Sequence, residues 1–127
     1  GATYSNPKSC NPTSPVSVLQ IHGSNDEVIS YTGGYLFSSA YPSARRTIDL
    51  WGKLNECGKK PYRVLPRLDL DRKISGLETT VLRYKGCKTG ANSELWTINK
   101  GKHSPELSAT FAKSVIDYLL AHPKKSV

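Results

Sequence analysis

An α/β fold is predicted by the order of elements along these 127 residues: strand, helix, two strands, helix. Three observations lead there. A β-branched, mostly apolar run, VSVLQIH over residues 16–22, is closed by Gly23. Two later segments place apolar residues at helical spacing. Between them lie two short runs with strand composition. The length allows one domain, 1–127, and 37% hydrophobic residues are enough to build a core.

Residues 1–15 carry Pro7, Pro12 and Pro15 among Asn and Ser, which predicts an extended loop. The run at 16–22 suits a strand buried on both faces. Residues 24–42, rich in Gly, Ser and Tyr, read as loop. Ser43 is placed to cap a helix running to about Asn55, with Ala44, Ile48, Trp51 and Leu54 or Asn55 along one face. Cys57-Gly58 stops that helix. Pro61, Pro66 and Gly76 punctuate residues 59–78, so any strand there is short or at an edge. Strands follow at 79–84 and 94–98, joined by a turn holding Gly86, Gly90 and Asn92. The last helix is expected to begin with Ser104 as cap and Pro105 in its first turn. Its apolar stripe would be Leu107, Phe111, Val115 and Leu119, widened by Ile116 and Leu120, with His122 answering the dipole at its end.

The charge is +8, from 18 Lys+Arg against 10 Asp+Glu, but the basic residues are scattered in pairs such as Arg45-Arg46 and Lys124-Lys125. Acids are interspersed among most of them, so a solvated basic surface is the plain reading and no specific nucleic-acid site is expected. No run reaches the roughly 20 apolar residues of a membrane span. The opening GATYSNPKSC has neither the basic nor the apolar region of a signal peptide, so an exported protein would carry its signal upstream or have lost it.

Three cysteines leave one over. Cys57 and Cys87, each beside turn chemistry, look like a loop-stapling pair of the kind exported proteins use. Cys10 is then either a buried free thiol or paired with polypeptide outside this sequence. The spacings match no zinc site.

In open α/β sheets ligands gather at the carboxyl ends of strands. Asp26, just past the first strand, and His103, in the loop after the last, would both emerge there. A histidine works as general base when a carboxylate fixes its tautomer. Read one at a time, Asp26 is a turn residue and His103 a surface or capping residue. Among other residues, His22 reads as a hydrogen-bonded structural histidine, and Trp51 and Trp96 as core. Tyr31 and Tyr35 could line an acyl or aromatic pocket or sit in surface turns. Asp69 and Asp71 read as a solvated edge strand or turn rather than a cation site.

The segment PVSVLQIHGSND at 15–26 resembles the triad-acid segment of α/β-hydrolase esterases, in particular the group of polyhydroxybutyrate depolymerases and related feruloyl and acetylxylan esterases. YTGG at 31–34, WGKLNECG at 51–58, ELWTINKGKH at 94–103 and LLAHP at 119–123 extend the resemblance in order over nearly the whole chain. It implies the carboxyl-terminal portion of an α/β-hydrolase three-layer sandwich, with Asp26 as triad carboxylate and His103 as general base. It also implies a Cys57–Cys87 disulfide, an upstream partner for Cys10, a secreted or periplasmic location, and chemistry without metal or organic cofactor. The family's nucleophile sits in a Gly-x-Ser-x-Gly elbow ahead of the acid and histidine. No such motif occurs here, so the chain is expected to lack the nucleophile-bearing amino-terminal half and to be inactive alone. Its partners would be an ester substrate, that missing half and, for the isolated chain, further copies of itself. A non-catalytic cationic module for polyanions or polysaccharide is the alternative.

Overall fold

The computed structural model describes residues 10–124, so the expected extended loop at residues 1–9 and Lys125 of the last basic pair fall outside them. Six strands and two α-helices follow in the order β1 (Val18–Gly23), β2 (Gly34–Leu36), β3 (Ser39–Tyr41), α1 (Ala44–Leu54), β4 (Tyr62–Leu68), β5 (Thr79–Arg83), β6 (Ser93–Ile98) and α2 (Phe111–Ala121). The main sheet is mixed, ordered β1-β6-β5-β4, with β1 parallel to β6 and the other pairs antiparallel. The molecule is a mixed α/β domain.

Strand alternation divides the core into two layers. On one face of the sheet, Leu95 and Tyr84 pack with Ala44 and Ile48 of α1, and Tyr31 and Leu82 border them. On the other, Val81, Trp96 and Ile98 pack with Tyr118 of α2, with Leu19, Ile21, Phe111 and Val115 around them. β6 is buried at all of its residues because it has a strand on each side and a helix on each face. β1 is bordered only by β6 among the described residues, so it is partly buried rather than covered on both faces as its composition suggests.

The first helix and its cap form as the sequence predicts, but its buried face is shifted. Ser43 Oγ accepts from the Arg46 amide at 3.0 Å, and Thr47, Leu50 and Gly52 turn inward with Ala44 and Ile48, while Trp51 and Leu54 are only half-buried. Asn55, fully buried at the C-cap, accepts from the Val16 amide at 3.0 Å and donates to the Val16 carbonyl at 2.8 Å. One side chain thus ties the helix end to the entry of β1. Beside it Cys57 and Cys87 are joined as a disulfide across a separation of 30 residues, while Cys10 is a half-buried free thiol. β4 is an edge strand, as the prolines require, though it spans seven residues and shifts register between Val64 and Leu68. Residues 24–42 are not all loop: β2 and β3 make a small hairpin there.

The last helix differs from expectation. It begins at Phe111, after Thr110, and Ser104 and Pro105 do not start it. The backbone of 106–108 is instead engaged by the segment before β5. Arg72 N donates to the Glu106 carbonyl at 2.9 Å, Ser108 N donates to the Leu70 carbonyl at 2.8 Å, and Asp71 bridges Leu107. Tertiary pairing of these groups outcompetes the costly first helical turn. The buried stripe shifts with it to Phe111, Val115 and Tyr118, leaving Leu107, Ile116, Leu119 and Leu120 exposed.

Candidate active site

The parallel register pairs Gly23 with Ile98, so β1 and β6 end side by side and their following loops leave the same edge of the sheet. Those loops are laced together. Ser24 N donates to the Ile98 carbonyl at 3.0 Å, Asn25 N to the Gly101 carbonyl at 2.9 Å, and Lys100 N to Ser24 Oγ at 2.8 Å. Gly23 permits this approach: a Cβ there would stand 2.3 Å from the Gly101 carbonyl oxygen. Sequence reasoning took Gly23 only as the end of the first strand and did not single out Gly101; each sits next to a strand end, where a close backbone approach is one of the few uses for glycine.

Across this seam His103 Nδ1 lies 3.1 Å from both carboxylate oxygens of Asp26, 77 residues away. Asp26 is held from its other side by an Asx-type turn, its Oδ1 accepting the amides of Val28 at 2.9 Å and Ile29 at 2.8 Å. Burial of the Asp26 side chain, 7% exposed, disfavours its charge. The hydrogen bonds from Ile29, His103 and Val28 outweigh that cost and hold its pKa below the usual 3.8. A carboxylate only accepts, so the proton of neutral His103 sits on Nδ1, and Nε2 keeps its lone pair. The ring is 43% exposed, which leaves that nitrogen reachable by an incoming hydroxyl group. His103 N also points to Glu27 Oε2 at 3.4 Å. Beside the pair is a cavity of about 250 Å³ with Ile21, Ile98, Pro105 and Phe111 among its walls.

The remaining sequence-predicted residues fall as follows. His22, 6% exposed, is hydrogen-bonded: Nε2 is 2.8 Å from the Ile29 carbonyl and 3.3 Å from Asp26 Oδ2. Tyr31 packs edge-on against His22, and its hydroxyl meets Thr97 Oγ1 at 2.8 Å, so its polar end is engaged within the fold. Tyr35 is 78% exposed on the β2–β3 hairpin. Trp96 lies in the core with its indole N–H donating to Glu94 at 2.9 Å, and Trp51 is half-buried. Asp71 accepts from the Lys73 amide as a turn residue but is 5% exposed, buried by the 106–108 segment rather than solvated, and His122 Nδ1 meets the Tyr118 carbonyl at 2.8 Å at the end of α2. Among the described residues no three His, Cys, Asp or Glu side chains group to hold a metal ion. Ser24 Oγ is occupied by the Lys100 amide, and among the described residues the hydrogen bonds of His103 go to Asp26 and Glu27 rather than to a serine.

An acid and a histidine are thus joined at the carboxyl edge of a partly parallel sheet, the geometry in which a carboxylate fixes the tautomer of an imidazole. Among curated proteins the chain is similar to feruloyl esterase B of Piromyces equi, with 27% identity over 100 residues, 75% of this chain. Those residues span only 17% of that esterase. No family model matches the chain, and no solved structure does. The likeness to an esterase is thus a distant one.

Proposed function

We infer that this chain is the carboxyl-terminal portion of an exported α/β-hydrolase, secreted or periplasmic, that cleaves carboxylic esters with a serine nucleophile supplied from upstream polypeptide or a companion chain. The observation that carries this reading is the two-oxygen pairing of Asp26 with His103 Nδ1. The similarity to a feruloyl esterase and the disulfide support it. The substrate class is an ester on plant polysaccharide, feruloyl or acetyl, or a short-chain polyester such as polyhydroxybutyrate.

Chemically, His103 Nε2 takes the serine proton as the hydroxyl oxygen attacks the ester carbonyl. The imidazolium is stabilised by Asp26, which keeps its charge throughout, and it returns the proton to the departing alkoxide. Water then attacks the acyl-enzyme while Nε2 takes its proton. The acid leaves as that proton passes to the serine oxygen. The oxyanion donors, worth several kcal/mol in such reactions, belong to the part that carries the serine. Of the two tyrosines, Tyr35 has its side chain free to meet substrate, whereas Tyr31 is bound to Thr97.

Two measurements test this. In the complete enzyme His103→Ala should lower kcat by about three orders of magnitude or more, and Asp26→Asn by a comparable factor. Unchanged turnover in His103→Ala sinks the reading. A serine-directed fluorophosphonate followed by intact mass should label a longer polypeptide containing this sequence, or a chain that copurifies with it. A label on Ser24 or Ser104 would show that the nucleophile lies here. No label, together with heparin binding that falls steeply with salt, would favour the cationic module.

A further inference from the structure

Behind the Asp26–His103 pair stands a second imidazole that the esterase chemistry above does not use. His22 projects from β1 to the α1 side of the sheet, where Tyr31 covers it with ring centroids 5.6 Å apart. Its Nε2 faces two acceptors that cannot donate, the Ile29 carbonyl at 2.8 Å and Asp26 Oδ2 at 3.3 Å. Nε2 must therefore carry the proton of the neutral ring. At the other nitrogen, Nδ1 is 3.3 Å from the Gln20 side-chain amide, whose N–H suits an accepting Nδ1. Both ends of the ring thus call for the same tautomer.

The two acceptors belong to one device. Ile29 supplies the amide that binds Asp26 Oδ1, and its carbonyl is the group His22 anchors. The other carboxylate oxygen lies against the same imidazole edge. We propose that His22 is a positioning residue, a clamp that fixes the turn at 26–29 and the rotation of the Asp26 carboxylate so that both oxygens face His103. The groups around Asp26 are then His103 and Glu27 on the solvent side, Lys102 at the adjoining cavity, and His22 behind. Of these only His22 and His103 touch the carboxylate with a ring N–H, one from β1 itself and one from the loop after β6.

Two amide variants separate positioning from packing. His22→Gln is long enough to place an N–H where Nε2 stands; His22→Asn is not. In the chain itself, carbon-detected NMR of the Asp26 carboxyl should show its titration midpoint raised in His22→Asn by on the order of half a unit or more. The midpoint should return toward wild type in His22→Gln. A buried histidine that merely fills space would leave the midpoint unmoved in both, which overturns the proposal. Nitrogen shifts of the wild-type His22 ring need no variant and decide the case should His22→Asn fail to fold: an Nε2–H tautomer is expected, and an Nδ1–H tautomer refutes the clamp. The kinetic arm alone rests on the esterase reading. In the complete enzyme His22→Asn should lower kcat on the order of tenfold or more with KM little changed, and His22→Gln should recover most of it. An enzyme whose His103→Ala variant is fully active would sink the esterase reading and leave the NMR result standing.

Discussion

Asp26 combines a buried position with a depressed pKa, and the balance has a consequence for stability. Desolvation works against its charge, while the Ile29, His103 and Val28 donors work for it and win. Because the folded pKa lies below the unfolded value of 3.8, the unfolded chain takes up a proton first as pH falls. The charge-linked contribution of Asp26 is therefore full above about 3.8 and disappears as pH drops through the folded pKa. Urea unfolding of wild type and Asp26→Asn should show a stability gap at neutral pH that narrows in that acid window. A gap that is constant with pH would mean the donors hold the side chain by shape rather than by charge. The motif around Asp26 and the place of His103 in the loop after the last strand were legible in the sequence, because strand-end loops in α/β sheets are where such groups gather; the helix expected directly after His103 starts only at Phe111. The role of His22 was only half legible, as a bonded structural residue. Its contact with Asp26 depends on a turn whose path no spacing rule gives.

Between the strand ends, the approach of two loops is set by backbone rather than side chains. A methyl group at residue 23 would lie 2.3 Å from the Gly101 carbonyl oxygen, so Gly23→Ala must push the β6 loop away. The cost should be about 1–3 kcal/mol, read as a fall in Tm on the order of 5 °C or more. Loss of the Asp26–His103 contact should accompany it, visible in the complete enzyme as lost kcat. An unchanged Tm would show that the loops can part without strain. The disulfide acts on the other end of α1. Closing a loop of 30 residues contributes about 3–4 kcal/mol in the chain-entropy account, so reductant should lower the urea midpoint correspondingly. α1 and β6 were readable because a good cap, an inward face and a run of apolar residues all agree. The start of α2 was not. Ser104-Pro105 has the local chemistry of a helix start, but the backbone of 106–108 is spoken for by Leu70 and Arg72.

At the scale of the molecule, two apolar features have no cover among the described residues. β1 has a strand on one side only, and α2 turns Ile116, Leu119 and Leu120 outward at 53%, 59% and 74% exposure. A parallel edge strand and an apolar helix flank favour association. In sedimentation the isolated chain should associate with rising concentration, and a companion bearing the serine should suppress that association. A strictly monomeric, cooperatively unfolding chain would count against the split arrangement. The net charge of +8 is spread in the same way as the sequence indicates. Arg45 pairs with Asp49, Lys88 with Glu56, Arg83 with Glu94, and Arg72 and Lys73 both reach Glu106.

Composition, periodicity and motif order were enough to place the α/β architecture, the first helix with its cap, the strands at β5 and β6, and the residues of the candidate pair. These are properties of local chemistry: branched residues suit strands, a hydroxyl satisfies an open amide, glycine stops a run. What needed the folded chain were the distances between segments remote in sequence. The parallel register of β1 with β6 brings residue 26 against residue 103, the close pass of Gly23 and Gly101 sets their separation, and the pairing of 69–72 with 106–108 delays the last helix. Each is a long-range backbone contact, and its energy exists only once both partners are already in place.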